Sequence, residues 1–240
     1  MLIYGLNPVL EALRATRVRR LKISARGDAR MQQAVSLARA AGIPTERVDP
    51  QTLDRLAGGG VHQGIVAELE PIRDYSVAQL VDAAAPAAPL LVVLDGVEDP
   101  HNLGAIIRSI DAAGAHGVIR QARHSASLDG AAAKASAGAV AFVRVATVVN
   151  IARAIGELKD AGVWTVGFAG EAPESYDAVD YTLPTAIVVG SEGEGLRRLT
   201  RDTCDRLVHI PMAGSVASVN VSVAAAVALF EAARQRRKAG

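Results

Sequence analysis

Cysteine is almost missing from this chain of 240 residues: Cys204 stands alone, so no disulfide within the chain and no cysteine-built zinc site can form. An ordinary half-buried side chain is its expected role. Aromatic residues make up only 3% of the chain, whereas half of it is apolar. An alanine-rich, aromatic-poor composition of this kind has material for a sizeable core, is incompatible with disorder and suits helices packed closely on a sheet. Long apolar runs are lacking too, since charge or glycine interrupts each one well before the roughly 18 residues of a membrane span. The start, Met1-Leu2-Ile3-Tyr4-Gly5, lacks the basic-then-apolar pattern of a signal peptide. A cytoplasmic location without membrane contact is expected. Neither a dinucleotide fingerprint nor a Walker lysine is present, which argues against a nucleotide-dependent oxidoreductase. No His, Cys or carboxylate cluster has ligand spacing, so no metal is expected.

The formal net charge of +1 conceals an asymmetry. Residues 1–70 hold ten basic and seven acidic side chains, and residues 71–240 hold sixteen and eighteen. Between Arg14 and Arg30 the basic residues Arg14, Arg17, Arg19, Arg20, Lys22, Arg26 and Arg30 meet a single acid, Asp28. Such a cluster can neutralise several phosphates of a nucleic acid, or can be a solvated surface.

Apolar periodicity organises the chain as α/β. Asn7–Leu13 reads as a helix, Leu21–Ser24 as a strand, Met31–Ala41 as a helix and Val61–Leu69 as a strand, together one small module. The proline-punctuated DAAAPAAP, Asp82 to Pro89, reads as a connection, so residues 73–89 are expected to be a linker between a unit at 1–72 and another at 90–240. Strands are then expected at Leu90–Leu94, Gly117–Ile119, Val140–Val145, Trp164–Phe168 and Ala186–Val189. Helices are expected at Asn102–Ala113, around Ala131–Ala137, at Ile151–Ala161 and at Ala217–Lys238. Short strands alternating with helices imply a mostly parallel sheet.

Three segments interrupt this pattern with polar residues at strand ends. In the first, Asp99-Pro100-His101-Asn102 leads from an apolar strand into a helix that carries Arg108. Asn102 as helix cap and Arg108 as a solvated residue is the plain alternative to an active-site loop. In the second, Ile187-Val188-Val189 runs into Gly190-Ser191-Glu192-Gly193-Glu194-Gly195. Its glycines let the backbone approach a ligand, and its two carboxylates suit hydroxyl donors, amines or a cation better than a polyphosphate. In the third, Ile210-Pro211-Met212 leaves a short strand, and Ser218-Val219-Asn220 precedes or opens the last helix. Ser218 and Asn220 are good helix caps as well as candidate site residues.

Together these segments resemble the SpoU/TrmH family of S-adenosylmethionine-dependent RNA ribose 2′-O-methyltransferases, within the SPOUT superfamily. Tyr4-Gly5-Leu6-Asn7-Pro8-Val9 and His62-Gln63-Gly64-Ile65 are similar to the small L30e-like substrate-binding domain of the large-subunit rRNA guanosine methyltransferases in that family. The third motif carries Val219 where members usually have leucine, and Val61 stands where relatives often carry a polar residue.

The resemblance implies a parallel-sheet methyltransferase domain with a C-terminal trefoil knot, and a homodimer built on that domain. It implies S-adenosylmethionine held by Ala169, Gly190, Gly193, Ile210, Met212 and Val219. Arg108 would lie closest to the reacting ribose hydroxyl, with Asn102, Glu192, Ser218 and Asn220 positioning it, the RNA or the cofactor. A guanidinium stays protonated and is a poor base, so Arg108 stabilising the developing alkoxide competes with Glu192 as proton acceptor. Arg14, Arg17, Arg19, Arg20, Lys22 and His62 would meet the RNA. Alternatives are a tRNA ribose methyltransferase, an adenosine-directed rRNA enzyme and a non-catalytic RNA-binding ribosome-assembly protein.

Overall fold

The structure, a computed structural model, describes residues 2–25, 27–70 and 73–239. Arg26 of the basic run and the expected boundary at residue 72 lie outside the described residues. In chain order the elements are β1 (Leu2–Tyr4), α1 (Leu6–Arg14), β2 (Val18–Ile23), α2 (Ala29–Ala40), β3 (Thr45–Arg47), α3 (Pro50–Leu56), β4 (Ile65–Leu69) and α4 (Val77–Asp82). They continue with β5 (Leu90–Asp95), α5 (Pro100–Ala113), β6 (Gly117–Gln121), α6 (Ala131–Ala135), β7 (Val145–Val148), α7 (Ile151–Asp160), β8 (Trp164–Phe168) and β9 (Glu174–Ser175). The last are β10 (Thr185–Gly190), α8 (Arg198–Thr203), β11 (Arg206–His209) and α9 (Val221–Ala239). The chain divides into two units, one of Met1–Ile72, Leu103–Arg108 and Ser127–Phe142, the other of Arg73–Asn102, Ser109–Ala126 and Val143–Gly240.

The first unit is a four-stranded sheet in the order β1-β4-β2-β3, antiparallel except for the β2–β3 pair. Its helices begin where the sequence supplies caps. Asp28 accepts from Met31 N at 2.9 Å and Asp49 from Thr52 N at 2.9 Å, each cap contributing about 1 kcal/mol. Tyr4, Leu53, Ala57 and Val66 form one buried cluster. The strand expected from Val61 begins only at Ile65, because Gln63 and Gly64 both adopt positive φ, 53° and 79°, and turn the chain. His62 anchors that turn: its Nδ1 accepts from Gly64 N at 3.0 Å and its Nε2 faces Asp54 Oδ1 at 3.0 Å. Gly104, midway along α5, lets α6 pack against it, since an added Cβ would stand 2.5 Å from Ala135 Cβ and 2.6 Å from Ala132 O. The expected strand Val140–Val145 is corrected to a 3₁₀ turn at Ala139–Ala141 followed by β7. Gly138, at φ 95°, turns the chain there, and Ser136 Oγ accepts from Val140 N.

The second unit is a seven-stranded sheet, β7-β6-β5-β10-β8-β11-β9, parallel at every pairing. Central β5 and β10 are buried at every position, as a parallel strand covered on both faces must be. On one face Leu91, Val93, Ile119 and Val188 pack with Ile151, Ile155 and Leu158 of α7. Each such fully buried aliphatic side chain contributes on the order of 2 kcal/mol. Against β10 lies α9, whose buried Ala225, Ala228 and Ala232 allow close approach. Near the helix end Arg236 donates to four carbonyls: Ala88 at 2.5 Å, Tyr181 at 2.8 Å, Pro89 at 2.9 Å and Leu183 at 3.0 Å.

Residues 73–89, expected as a linker, are part of this unit. Asp74 Oδ1 accepts from Thr147 N at 2.9 Å, and Val77 and Leu80 of α4 lie in the core. The capping box Ser76-x-x-Gln79 starts that helix, and the proline-rich signal obscures it in the sequence. Cys204 is partly buried, as expected, and burial pushes its thiol up to about 12. Among the described residues no helix is long and apolar enough to cross a membrane.

Candidate active site

Three segments converge at the C-terminal edge of the parallel sheet, where open α/β sheets hold their ligands. The first is the start of α5. Asp99 caps it, accepting from His101 N at 2.9 Å, and Pro100 takes the first turn, where its missing N–H leaves no bond unmade. The alternative reading of Asn102 as the cap is thereby removed, and the helix begins at Pro100 rather than at the expected Asn102. With Asp99 in that place, Asn102 sits inside the first turn, 7% exposed, and its amide is available to other partners.

The second segment is the glycine loop after β10. Ser191 and Gly195 exchange backbone hydrogen bonds, both 3.0 Å, and close a tight ring round Glu192, Gly193 and Glu194. Gly190 makes this possible, since a Cβ there would stand 2.0 Å from the carbonyl carbon of Gly195. The helix that follows the loop, α8, begins at Arg198.

The third segment leaves β11 through Ile210 and Pro211 and runs without regular structure to Asn220. Asn220 then caps α9: its carbonyl accepts from Ala224 N at 3.0 Å and its Oδ1 from Ser222 N at 2.8 Å. The last helix therefore starts at Val221, four residues after the expected Ala217.

Side chains of all three segments bond to one another. Asn102 Nδ2 donates to Glu192 Oε2 at 3.1 Å, and Asn220 Nδ2 donates to Glu192 Oε1 at 2.7 Å and to Asn102 Oδ1 at 3.0 Å. For Asn220 the cap and the site role are compatible, because Oδ1 serves the helix and Nδ2 serves the site. An ionised carboxylate offers about four acceptor positions, so Glu192 keeps capacity beyond these two amides.

Beside this trio lies a cleft of about 430 Å³, within the size range of small-molecule sites. All six expected cofactor residues, Ala169, Gly190, Gly193, Ile210, Met212 and Val219, line it, as do Glu192, Ser218 and Asn220. Arg201 of α8 also borders it and pairs with Glu171. The lining fits S-adenosylmethionine. Ile210, Met212 and Val219 offer apolar surface to an adenine, while Glu192 and Glu194 offer acceptors to ribose hydroxyls and to cationic sulfur and amine groups.

Arg108 is not drawn into the trio. It lies exposed on α5, six residues beyond Asn102, which on an α-helix is about 9 Å along the axis and about 120° round it. In the first unit Arg19 and Arg20 are exposed on β2, Lys22 pairs with Glu46 at 3.7 Å, and Arg14 pairs with Glu11. Arg17 is only partly exposed, with its Nε buried. His62 uses one ring nitrogen within its own turn and sets the other against Asp54 of α3. Sequence reasoning passed over Asp95, the last residue of β5, whose carboxylate accepts from Arg197 N at 2.9 Å. Its one signal was an acid closing an otherwise apolar strand. Among the described residues no group of three or more His, Cys, Asp or Glu side chains could hold a metal ion.

The SpoU rRNA Methylase family matches residues 89–230, and the RNA 2′-O ribose methyltransferase substrate binding family matches residues 2–75. The 23S rRNA (guanosine-2′-O-)-methyltransferase RlmB of Ralstonia nicotianae is 50% identical over 212 residues, 88% of this chain and 85% of that protein. RlmB of Escherichia coli K12 is 44% identical over 239 residues, 98% of both chains. The SpoU methyltransferase AviRb of Streptomyces viridochromogenes, solved with the cofactor AdoMet, superposes with a TM-score of 0.83 at 30% identity, covering 100% of this chain and 91% of that one. With its seven-stranded parallel sheet, this chain belongs to the SpoU rRNA Methylase family.

Proposed function

We propose that this chain transfers a methyl group from S-adenosylmethionine to the ribose 2′-hydroxyl of a guanosine in 23S rRNA. The observation that carries the reading is the meeting of Asn102, Glu192 and Asn220 beside a cleft lined by all six expected cofactor residues. The RlmB names of relatives 44–50% identical supply the substrate.

When bound, the cofactor supplies a methyl group on a positively charged sulfur. Methyl transfer then needs an attacking hydroxyl held in line and relieved of its proton as the new O–C bond forms and the S–C bond breaks. Glu192, fixed by two amide donors, is the acceptor that orients polar hydrogens at the mouth of the cleft, and Ser218 extends that polar rim. Asn102 and Asn220 keep the carboxylate in place. Arg108 carries the positive charge for the developing alkoxide and the neighbouring phosphate, and the proton leaves by way of that phosphate. A guanidinium has no lone pair free to take it.

We read the first unit as the RNA-capturing part, through phosphate contacts of Arg19 and Arg20 with Arg14, Arg17 and Lys22 around them. His62 acts there by shaping the turn at residues 62–64. We read the chain as cytoplasmic and homodimeric, with its C-terminal segment threaded as a knot. The exposed Val223 and Phe230 of α9 support a partner copy on that helix.

The test is transfer of labelled methyl to unmodified 23S rRNA and to bulk tRNA, with ribose methylation mapped on the product. Labelling of one rRNA guanosine, lost in Arg108→Ala, is the expected result. Labelling of tRNA alone overturns the substrate assignment, and cofactor binding without any transfer overturns the catalytic one.

A further inference from the structure

Asp95 has no place in the mechanism above, yet it is the most enclosed carboxylate of its unit. Its side chain is 0% exposed at the end of β5, in register with Gly190 on β10. Burying a charge so completely costs several kcal/mol unless partners offset it. The partners come from one residue. Oδ2 accepts from the backbone N–H of Arg197 at 2.9 Å, and Oδ1 stands 3.6 Å from Arg197 Nη1 with no hydrogen bond of its own. The same Nη1 donates to Gln121 Oε1 at the end of β6, 2.8 Å away. Gly96 leaves room for the guanidinium, since a Cβ there would lie 3.1 Å from Arg197 Nη2.

Arg197 is where the glycine loop ends. The loop starts at Gly190, beside Asp95 in the sheet, closes on itself between Ser191 and Gly195, and returns to Asp95 through Arg197. Both feet of the loop that carries Glu192 are thus tied to one residue of β5. A stable core does not require this arrangement, because an apolar side chain in the same place would avoid a half-satisfied buried charge. What the carboxylate adds is a fixed foot for the loop.

We infer that Asp95 is a positioning residue: through Arg197 it sets the height and tilt of the Gly190–Arg197 loop and so places Glu192 against Asn102 and Asn220. The inference rests on the methyltransferase reading for its consequence, not for its geometry. Asp95→Asn is nearly isosteric and can still accept from Arg197 N, but it turns an amide toward the guanidinium in place of a charge.

The experiment is a kinetic cycle of wild type, Asp95→Asn, Glu192→Gln and the double variant, with cofactor affinity by calorimetry and amide exchange of the 190–197 segment. Asp95→Asn is expected to lower kcat about tenfold or more, with KM for RNA and Kd for cofactor within about twofold, because a misplaced group costs rate before it costs binding. The double variant should be no slower than Glu192→Gln by more than about twofold, since Asp95 acts through Glu192. Amide exchange at Ser191, Gly195 and Arg197 should quicken. Multiplying losses, wild-type kcat in Asp95→Asn, or a loss that follows cofactor affinity and Tm together would each overturn the inference. Should Asp95→Asn fail to fold, Arg197→Met keeps the backbone N–H and removes the guanidinium. A wild-type kcat in that variant overturns the inference equally. An inactive wild type would sink the functional reading alone, and unchanged loop exchange would sink the positioning role alone.

Discussion

Asn102 and Asn220 stand 118 residues apart in the chain and are joined by a 3.0 Å hydrogen bond between their side-chain amides, both of which also hold Glu192. Replacing Asn220 by Asp keeps the helix cap, since a carboxylate accepts from Ser222 N as the amide oxygen does. It also sets a second negative charge against Glu192 at about the present 2.7 Å contact. Asn220→Asp should lower kcat by at least about a hundredfold while costing no more than about 1 kcal/mol of stability. Methyl transfer and thermal unfolding measured on the same preparation separate the two effects. A variant equally damaged in both would point to a purely structural Asn220.

Gly190 is the tightest point of the cleft wall. Gly190→Ala must displace the backbone of Gly195 and Leu196, which lies 2.0 to 2.3 Å from the added carbon. Calorimetric titration with S-adenosylmethionine should show affinity weakened by about tenfold or more. Gly193→Ala meets no atom within 4 Å and carries only the strain of φ 90°, so its effect should be smaller, about 1–2 kcal/mol.

Arg236 ties the end of α9 to the starts of β5 and β10 through four carbonyls. Arg236→Met keeps much of the stem's packing and removes every donor. A loss of about 1–3 kcal/mol in chemical denaturation is expected, with cofactor affinity unchanged because the cleft lies at the other end of the sheet strands.

His116 Nδ1 accepts from Leu90 N at 2.9 Å, and burial, together with the charges of Arg236 and Arg144, holds the imidazole below its usual range. A histidine kept neutral in the fold leaves the unfolded chain with the greater proton uptake between the lowered pKa and the ordinary one near 6.5. Stability should therefore fall as pH drops below about 6.5 and level off once the folded imidazole also protonates. In His116→Gln this part of the Tm-versus-pH slope should disappear. An unchanged slope would assign the acid sensitivity to other groups.

Much of this architecture can be read from residue order. Leu90 to Leu94 is a continuous apolar run that could be a central parallel strand on length alone, and the α7 and β8 positions follow directly from periodicity. The three polar interruptions at strand ends are the segments whose side chains meet in the candidate site. Their mutual hydrogen bonds could not be read, because nothing local to Asn102 says that its amide turns to residues 90 and 118 positions away. Asp99 shows the opposite limit. Only Asn102 drew notice as a cap at the start of α5, yet the helix starts three residues earlier on Asp99 and buries Asn102. The run Val140 to Val145 misled because apolar content alone does not distinguish a strand from a tight turn forced by Gly138. Asp95 was invisible as a functional residue because its partner, Arg197, lies on the far side of the chain's midpoint.

The double use of Asn220 also bears on when activity can arise. One side chain starts the last helix and completes the trio, so the centre cannot be finished before the 19 residues of α9 have been made and docked against β10. A chain cut short there would keep its glycine loop and most of its sheet yet hold Asn102 and Glu192 without their common partner. Competence thus waits on the formation of α9, and fragments that lack this helix should be silent, not slow.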